Sequence, residues 1–176
     1  GLATLTAGQR PARKVTPEQP GPHWQRGRWS HVSVLAGGTH LHVLNIYGWP
    51  QGTPDRAHRQ AALWGEVFSQ IATLGRAPWV VGGDWNATPG ELWAPALDSR
   101  VGGFLPGGQF RPATCRPVQG EHRELDFFLV SHTLRYCVEQ YWDLGDDWLP
   151  THNPVCLTRQ LEGLRKPVPT LIKPRG

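Results

Sequence analysis

The chain contains no methionine, only three cysteines and, against fifteen arginines, only three lysines. Cys115, Cys137 and Cys156 are odd in number and widely spaced, with no Cys-x-x-Cys pair and no zinc-ligand spacing. Cys137 and Cys156 fall in strand-like runs and read as small core residues in a reducing, intracellular setting, with the nucleus as one option. No apolar run approaches the ~18 residues of a membrane-spanning helix, and no signal-peptide pattern opens the chain, so no membrane partner is expected. The lack of an initiating methionine points to a chain that begins inside a longer protein, linked to further domains, or after processing.

What is present is globular in character. Hydrophobic residues make up 39% and charged residues 18% of the 176 positions, which separates the chain from disordered sequences. The length suits one domain by the prior of ~150 residues per domain. Nine tryptophans suit a buried core with some rings left at a binding surface. The net charge of +4 is uneven: residues 1–30 and 159–176 each carry +4, and the body between them −4. Arginine binds phosphate through a planar fork, so basic, arginine-rich ends suit a polyanionic partner, although solvated ends would look the same. A domain over 1–160 followed by a basic, proline-rich tail over 161–176 is the expected organisation.

Residues 2–6 read as a short strand and 8–28 as a loop. Ser30–Ala36 and His40–Tyr47 form a hairpin about Gly37-Gly38. The second strand is apolar on both faces and should be covered on both. Thr53 as N-cap and Pro54 at the first helical position start a helix in which Leu63, Val67, Ile71 and Leu74 repeat at helical spacing, closed by Gly75. Trp79–Gly83 is a short buried strand and Leu92–Leu97 a short helix, and 101–123 is loop-rich. Leu125–Val130, Tyr136–Trp142 and Val155–Thr158 are further strands. Hairpins, one amphipathic helix and doubly covered strands predict an α/β fold: a layered sandwich of mainly antiparallel, mixed sheets flanked by helices.

Four places put a polar residue inside or at the end of an apolar strand. Val80-Val81-Gly82-Gly83 delivers Asp84 and Asn86 into a turn, where a carboxylate can bind a hard cation or activate water, and an amide can donate to an oxyanion. Asx residues also favour turns for structural reasons alone. Asp126 sits among aliphatic and aromatic residues, and a buried carboxylate calls for a partner such as histidine. His152 lies in a loop that feeds a strand and can take a proton or bond a phosphate oxygen. Tyr47 ends a strand, where its hydroxyl could reach a phosphate or its ring could fill a rim, and Asn45 lies two residues before it.

Taken in order, the pattern strand-Asn45-x-Tyr47, Gly83-Asp84-x-Asn86, Leu125-Asp126-Phe127-Phe128-Leu129-x-Ser131 and His152-x-Pro154-Val155 resembles the endonuclease/exonuclease/phosphatase superfamily. That group includes DNase I-like nucleases, abasic-site endonucleases, inositol polyphosphate 5-phosphatases and the endonuclease domains of non-LTR retrotransposons. The resemblance implies a DNase I-like phosphodiesterase that uses magnesium or manganese on nucleic acid, DNA ahead of RNA. Asp84 would aim and deprotonate the attacking water and touch the metal, and Asn86 would orient that assembly and hold phosphoryl oxygens. Asp126 would fix the tautomer of His152, and His152 would stabilise the transition state or act as base. Tyr47 would contact the scissile phosphate, supported by Asn45.

The chain departs from the family pattern in three ways. The family's first strand and metal-binding Glu motif are absent, as in an N-terminally truncated domain. Thr151 stands where the family has Asp, with Asp146 and Asp147 nearby as substitutes. Glu124 stands where it has Arg, with Arg123 as a partial replacement. A phosphatase on a small phosphate ester and a catalytically inactive remnant are therefore the alternatives to a nuclease domain.

Overall fold

The computed structural model of the chain describes residue 2 and residues 12–93, 101–107, 113–117, 120–144 and 151–160. Residues 3–6 of the strand expected at 2–6, the region of Asp146 and Asp147, and the tail all lie outside these. A mixed six-stranded sheet forms the centre, in the order β1-β2-β3-β4-β6-β5. Its strands are β1 (Ala12–Lys14), β2 (Trp29–Ala36), β3 (Thr39–Tyr47), β4 (Trp79–Asp84), β5 (Gly103–Phe104) and β6 (Asp126–Ser131). Only β3 and β4 run parallel; the other neighbours are antiparallel. A parallel pair needs a crossover, and here helix α2 (Arg56–Thr73) provides it. A two-stranded sheet, β7 (Val138–Asp143) with β8 (Val155–Arg159), packs against the other face.

Each face of the central sheet has its own core. On the helix side, Leu44, Ile46, Val81, Phe127 and Leu129 meet Leu63, Val67 and Ile71 of α2. On the opposite side, Leu41, Val80 and Val130 meet Leu134, Cys137 and, from the small sheet, Val138 and Leu157. The covering of β3 on both faces thus follows from its sequence, in which both alternating sets are apolar. Among the described residues no helix is long and apolar enough to cross a membrane.

Several boundaries differ from the sequence expectation. The stretch 8–28 is not wholly loop: it contains β1 and a four-residue helix, α1 (Pro22–Gln25). The long helix begins at Arg56, not Pro54, because Thr53 turns back to bond the carbonyl of Pro50 and Asp55 takes a left-handed φ of 53°. The short helix α3 (Pro89–Trp93) starts ahead of the expected 92–97, of which 94–97 lie outside the described residues, and Thr88 and Glu91 bond to each other in the manner of a capping box. Strand β5 and an isolated bridge at Cys115 interrupt the loop-rich 101–123. Residues 132–134 form a 3-10 turn, so the strand expected from 136 starts at Val138.

Glu66 of α2 fastens the α1 corner. It accepts from the His23 and Trp24 amides, His23 Nδ1 and Trp29 Nε1, at 2.7–3.1 Å. Burial raises its pKa, but these bonds outweigh burial and hold it below the ordinary range.

Candidate active site

Strands β3 and β4 end side by side, with Tyr47 in register with Asp84 and Asn45 with Gly82. Two glycines permit this. A Cβ on Gly83, whose φ is +143°, would lie 2.1 Å from the Ile46 carbonyl oxygen, and one on Gly48 would lie 1.9 Å from that of Trp85. The Gly48 amide donates to the Asp84 carbonyl at 2.7 Å. Gln60, a polar residue on the apolar stripe of α2, ties both turns together: its amide donates to Trp85 O at 2.8 Å, and its Oε1 accepts from Trp49 N at 2.7 Å. Trp85 is fully buried and stacks on Phe127 with centroids 5.0 Å apart, fixing the turn from beneath.

Asn86 holds Asp84 by both oxygens, its backbone N–H to Oδ1 at 2.8 Å and its Nδ2 to Oδ2 at 2.9 Å. This needs a left-handed Asn86, φ 47°, a conformation that asparagine tolerates better than most residues. On the other side of β4, Asp84 is directly opposite Asp126 at the start of β6. Asp126 Oδ2 lies 2.7 Å from His152 Nδ1. A hydrogen bond to a carboxylate places the proton on Nδ1 and leaves Nε2 available. Ligand atoms of Asp84, Asp126 and His152 all lie within 4.8 Å of one another, so these three side chains could hold a metal ion.

The electrostatics follow from this crowding. Burial pushes the Asp84 carboxyl above the ordinary range; the Asn86 amide opposes that, and the charge of Asp126 adds to it. Burial, with the charges of Asp126 and Asp84, also pushes the Cys115 thiol up, so it stays neutral and is unsuited to act as a nucleophile.

Tyr47 ends β3 half-exposed beside this group, with the Arg28 guanidinium 4.9 Å from its ring centroid. Asn45 lies two residues back on the same face of the strand. Thr151 is exposed next to His152, and its carbonyl accepts from the Arg116 amide. Arg123 does not reach into the group: it pairs with Glu91 at 3.1 Å, while Glu124 accepts from the Tyr141 hydroxyl at 3.4 Å.

Thr114 has no counterpart in the sequence reading. It is fully buried, and its Oγ1 accepts from the amides of Leu125 and Asp126 at 3.0 and 2.8 Å. Its carbonyl accepts from Asn153 N at 2.7 Å, and the next residue, Cys115, bridges to His152. One short segment thus positions both members of the Asp126–His152 pair. It sits in a stretch without periodicity, where no sequence signal marks it. Gln60 did carry a signal, a polar residue in an apolar helical stripe.

No protein-family model matches the chain, and no curated protein matches it in sequence. Solved structures do match in fold. The endonuclease domain of TRAS1, a telomere-specific non-LTR retrotransposon, is similar over 90% of this chain and 72% of its own length, with TM-score 0.63 and 12% identity. A 3′ phosphatase from Neisseria, NExo, bound to a product DNA hairpin, covers 74% of this chain at TM-score 0.53 and 18% identity. An endonuclease/exonuclease/phosphatase family protein from Bacteroides thetaiotaomicron covers 73% at TM-score 0.55 and 18% identity. The chain spans 64% and 53% of the lengths of those last two. The fold expected from the ordered motifs is the fold found, that of the endonuclease/exonuclease/phosphatase proteins.

Proposed function

We propose that the chain belongs to that family and is a metal-dependent phosphodiester hydrolase domain acting on nucleic acid. The observation that carries this reading is the meeting of Asp84, secured by Asn86, with the Asp126–His152 pair, from three distant parts of the sequence. Two of the neighbours are described with nucleic acid, one by its product hairpin and one as a retrotransposon endonuclease, which favours DNA over a small ester.

The donor set fits a hard divalent cation. Asp84 and Asp126 supply carboxylate oxygens, and the repulsion that helps raise Asp84 is relieved by positive charge between them. Magnesium or manganese, when bound, would neutralise charge on the phosphate and leaving oxygen. Asp84, held by Asn86 beside the Asp126–His152 pair, accepts a proton from the attacking water as the new P–O bond forms. Asn86 keeps that carboxylate aimed with one amide N–H and turns the other, 3.4 Å from the Gly48 carbonyl, toward a phosphoryl oxygen. His152, fixed through Nδ1 by Asp126, directs Nε2 at the charge that grows on the phosphoryl group, the logic of an orienting carboxylate behind a histidine. Tyr47 holds the scissile phosphate from the β3 side, with Asn45 behind it. The ester P–O bond then breaks, and the leaving alkoxide takes a proton from solvent.

Nicking of supercoiled DNA in magnesium tests this. Asp84→Ala and His152→Ala should each lower the rate at least a hundredfold, the usual scale for a positioned acid–base group. Equal nicking by wild type and Asp84→Ala ends the proposal. A second reading, a remnant with little turnover, is favoured by Thr151, which offers no carboxylate beside His152. Under it no metal-dependent turnover appears even in Thr151→Asp.

A further inference from the structure

Three arginines, Arg28 just before β2 and Arg56 and Arg59 in the first turn of α2, gather about Trp49 at the edge of the proposed centre. The guanidinium of Arg28, just before β2, lies 3.8 Å from the Trp49 ring centroid as well as 4.9 Å from that of Tyr47. That of Arg59, in the first turn of α2, lies 5.1 Å from Trp49. Arg56 donates to the carbonyls of Trp49 and Asn86. The partners of these three cations among the described residues are backbone carbonyls and rings, never a carboxylate. Elsewhere the chain does neutralise arginines, pairing Arg123 with Glu91 and Arg116 with Asp143.

Three half-buried positive charges around one buried ring repel one another and have lost part of their hydration, a cost that an anion would remove. The three are not equivalent. Arg56 is committed to two carbonyls that brace the turns. Arg28 gives one N–H to Gly48 O at 3.2 Å and keeps the rest of its fork. The Arg59 guanidinium is held by the ring alone and makes no hydrogen bond to a described residue. A guanidinium stacked on an aromatic face leaves its in-plane N–H groups for bidentate bonds to phosphate.

We infer that Arg28 and Arg59, stacked on Trp49, form a second phosphate subsite. It receives the backbone of a nucleic-acid strand next to the scissile phosphate, on the Tyr47 side. This rests on the reading of the centre as a nucleic-acid hydrolase, and it adds that the substrate is a strand with at least one further phosphate.

The test is equilibrium binding of a short fluorescein-labelled DNA duplex to the full chain in EDTA, by anisotropy over a range of salt. EDTA removes turnover, so the result is independent of the nicking experiment. Each phosphate contact contributes about 0.9 to the slope of log K against log salt. Arg59→Ala should flatten the slope by about one, and Arg28→Ala with Arg59→Ala by about two, weakening binding at low salt roughly tenfold or more. Arg76→Ala, exposed beyond the far end of α2, should keep the wild-type slope. Arg59→Ala removes no backbone hydrogen bond, so near-ultraviolet circular dichroism should stay unchanged. A wild-type slope in folded Arg59→Ala, or no duplex binding by the wild type, overturns the inference even if the protein nicks DNA. A flattened slope supports it even if nicking is absent.

Discussion

At the scale of single residues, the His31–His42 pair bears on behaviour in acid. His31 is fully buried on the inner face of β2, with Nε2 2.8 Å from His42 Nδ1. Burial first and the neighbouring His42 second lower its pKa from 6.5 to about 4. His42 is lowered too, by burial, then by His40 and Arg13. The unfolded chain therefore binds more protons than the folded one between pH 6.5 and about 4, and stability falls as pH falls through that window. A shift of this size corresponds to ~3 kcal/mol at most for His31. Urea denaturation at pH 7.5 and pH 4.5 should show that loss, and His31→Asn should narrow the gap between the two. Equal wild-type midpoints at both pH values would contradict the buried-neutral account.

Of the residues around the centre, some could be read in the sequence and some could not, for definite reasons. Asp84 and Asp126 stand out because each interrupts or ends a run that is otherwise apolar, and a charge in such a run needs a purpose. That His152 is the partner of Asp126 is visible only through resemblance, since 26 residues separate them. Thr114 and the Arg28–Trp49–Arg59 stack could not be read at all. Each depends on loops meeting in space, and neither leaves a period or a spacing behind.

At the scale of elements, the paired strand ends of β3 and β4 depend on backbone meeting backbone. The obstacle to a side chain at Gly83 is a carbonyl of the neighbouring strand and not a movable side chain. Gly83→Ala should cost about 3 kcal/mol or more, combining overpacking with a φ of +143° that alanine avoids. Thermal unfolding of Gly83→Ala within a degree of wild type would show that the strands can separate at no cost. The apolar strands and the stripe on α2 could be located from sequence because burial imposes their periods. The start of α2 could not. Thr53-Pro54 has every mark of a helix entrance, yet the Thr53 hydroxyl bonds the Pro50 carbonyl and closes a turn first. Local turn chemistry won over capping preference there.

At the scale of the whole molecule, the central sheet has a core on each face, and the proposed centre joins that sheet to the small one. Asp84 and Asp126 come from the central sheet, and His152 immediately precedes β8 of the small one. The two halves should therefore lose structure together. Leu63→Ala, on the helix side, and Leu134→Ala, on the other, are both fully buried truncations that should each cost 2–5 kcal/mol. Each should move one shared transition, with tryptophan fluorescence and far-ultraviolet circular dichroism coinciding. Two separated transitions would mean that the small sheet melts on its own. The layered class could be anticipated from strand and helix patterns, whereas the strand order could not, because no local signal tells β4 to lie between β3 and β6.

That position of β4 also governs how the chain reaches its native state. The strand cannot zip up with a sequence neighbour: one partner lies across the whole of α2, and the other beyond α3, β5 and the following loops. Two long closures must be made before its ladders repay their entropy, so refolding should fall in the slow millisecond-to-second range of non-local sheets. The groups proposed to act on phosphate sit at the ends of those same ladders, so catalytic competence should be among the last properties a newly made chain acquires.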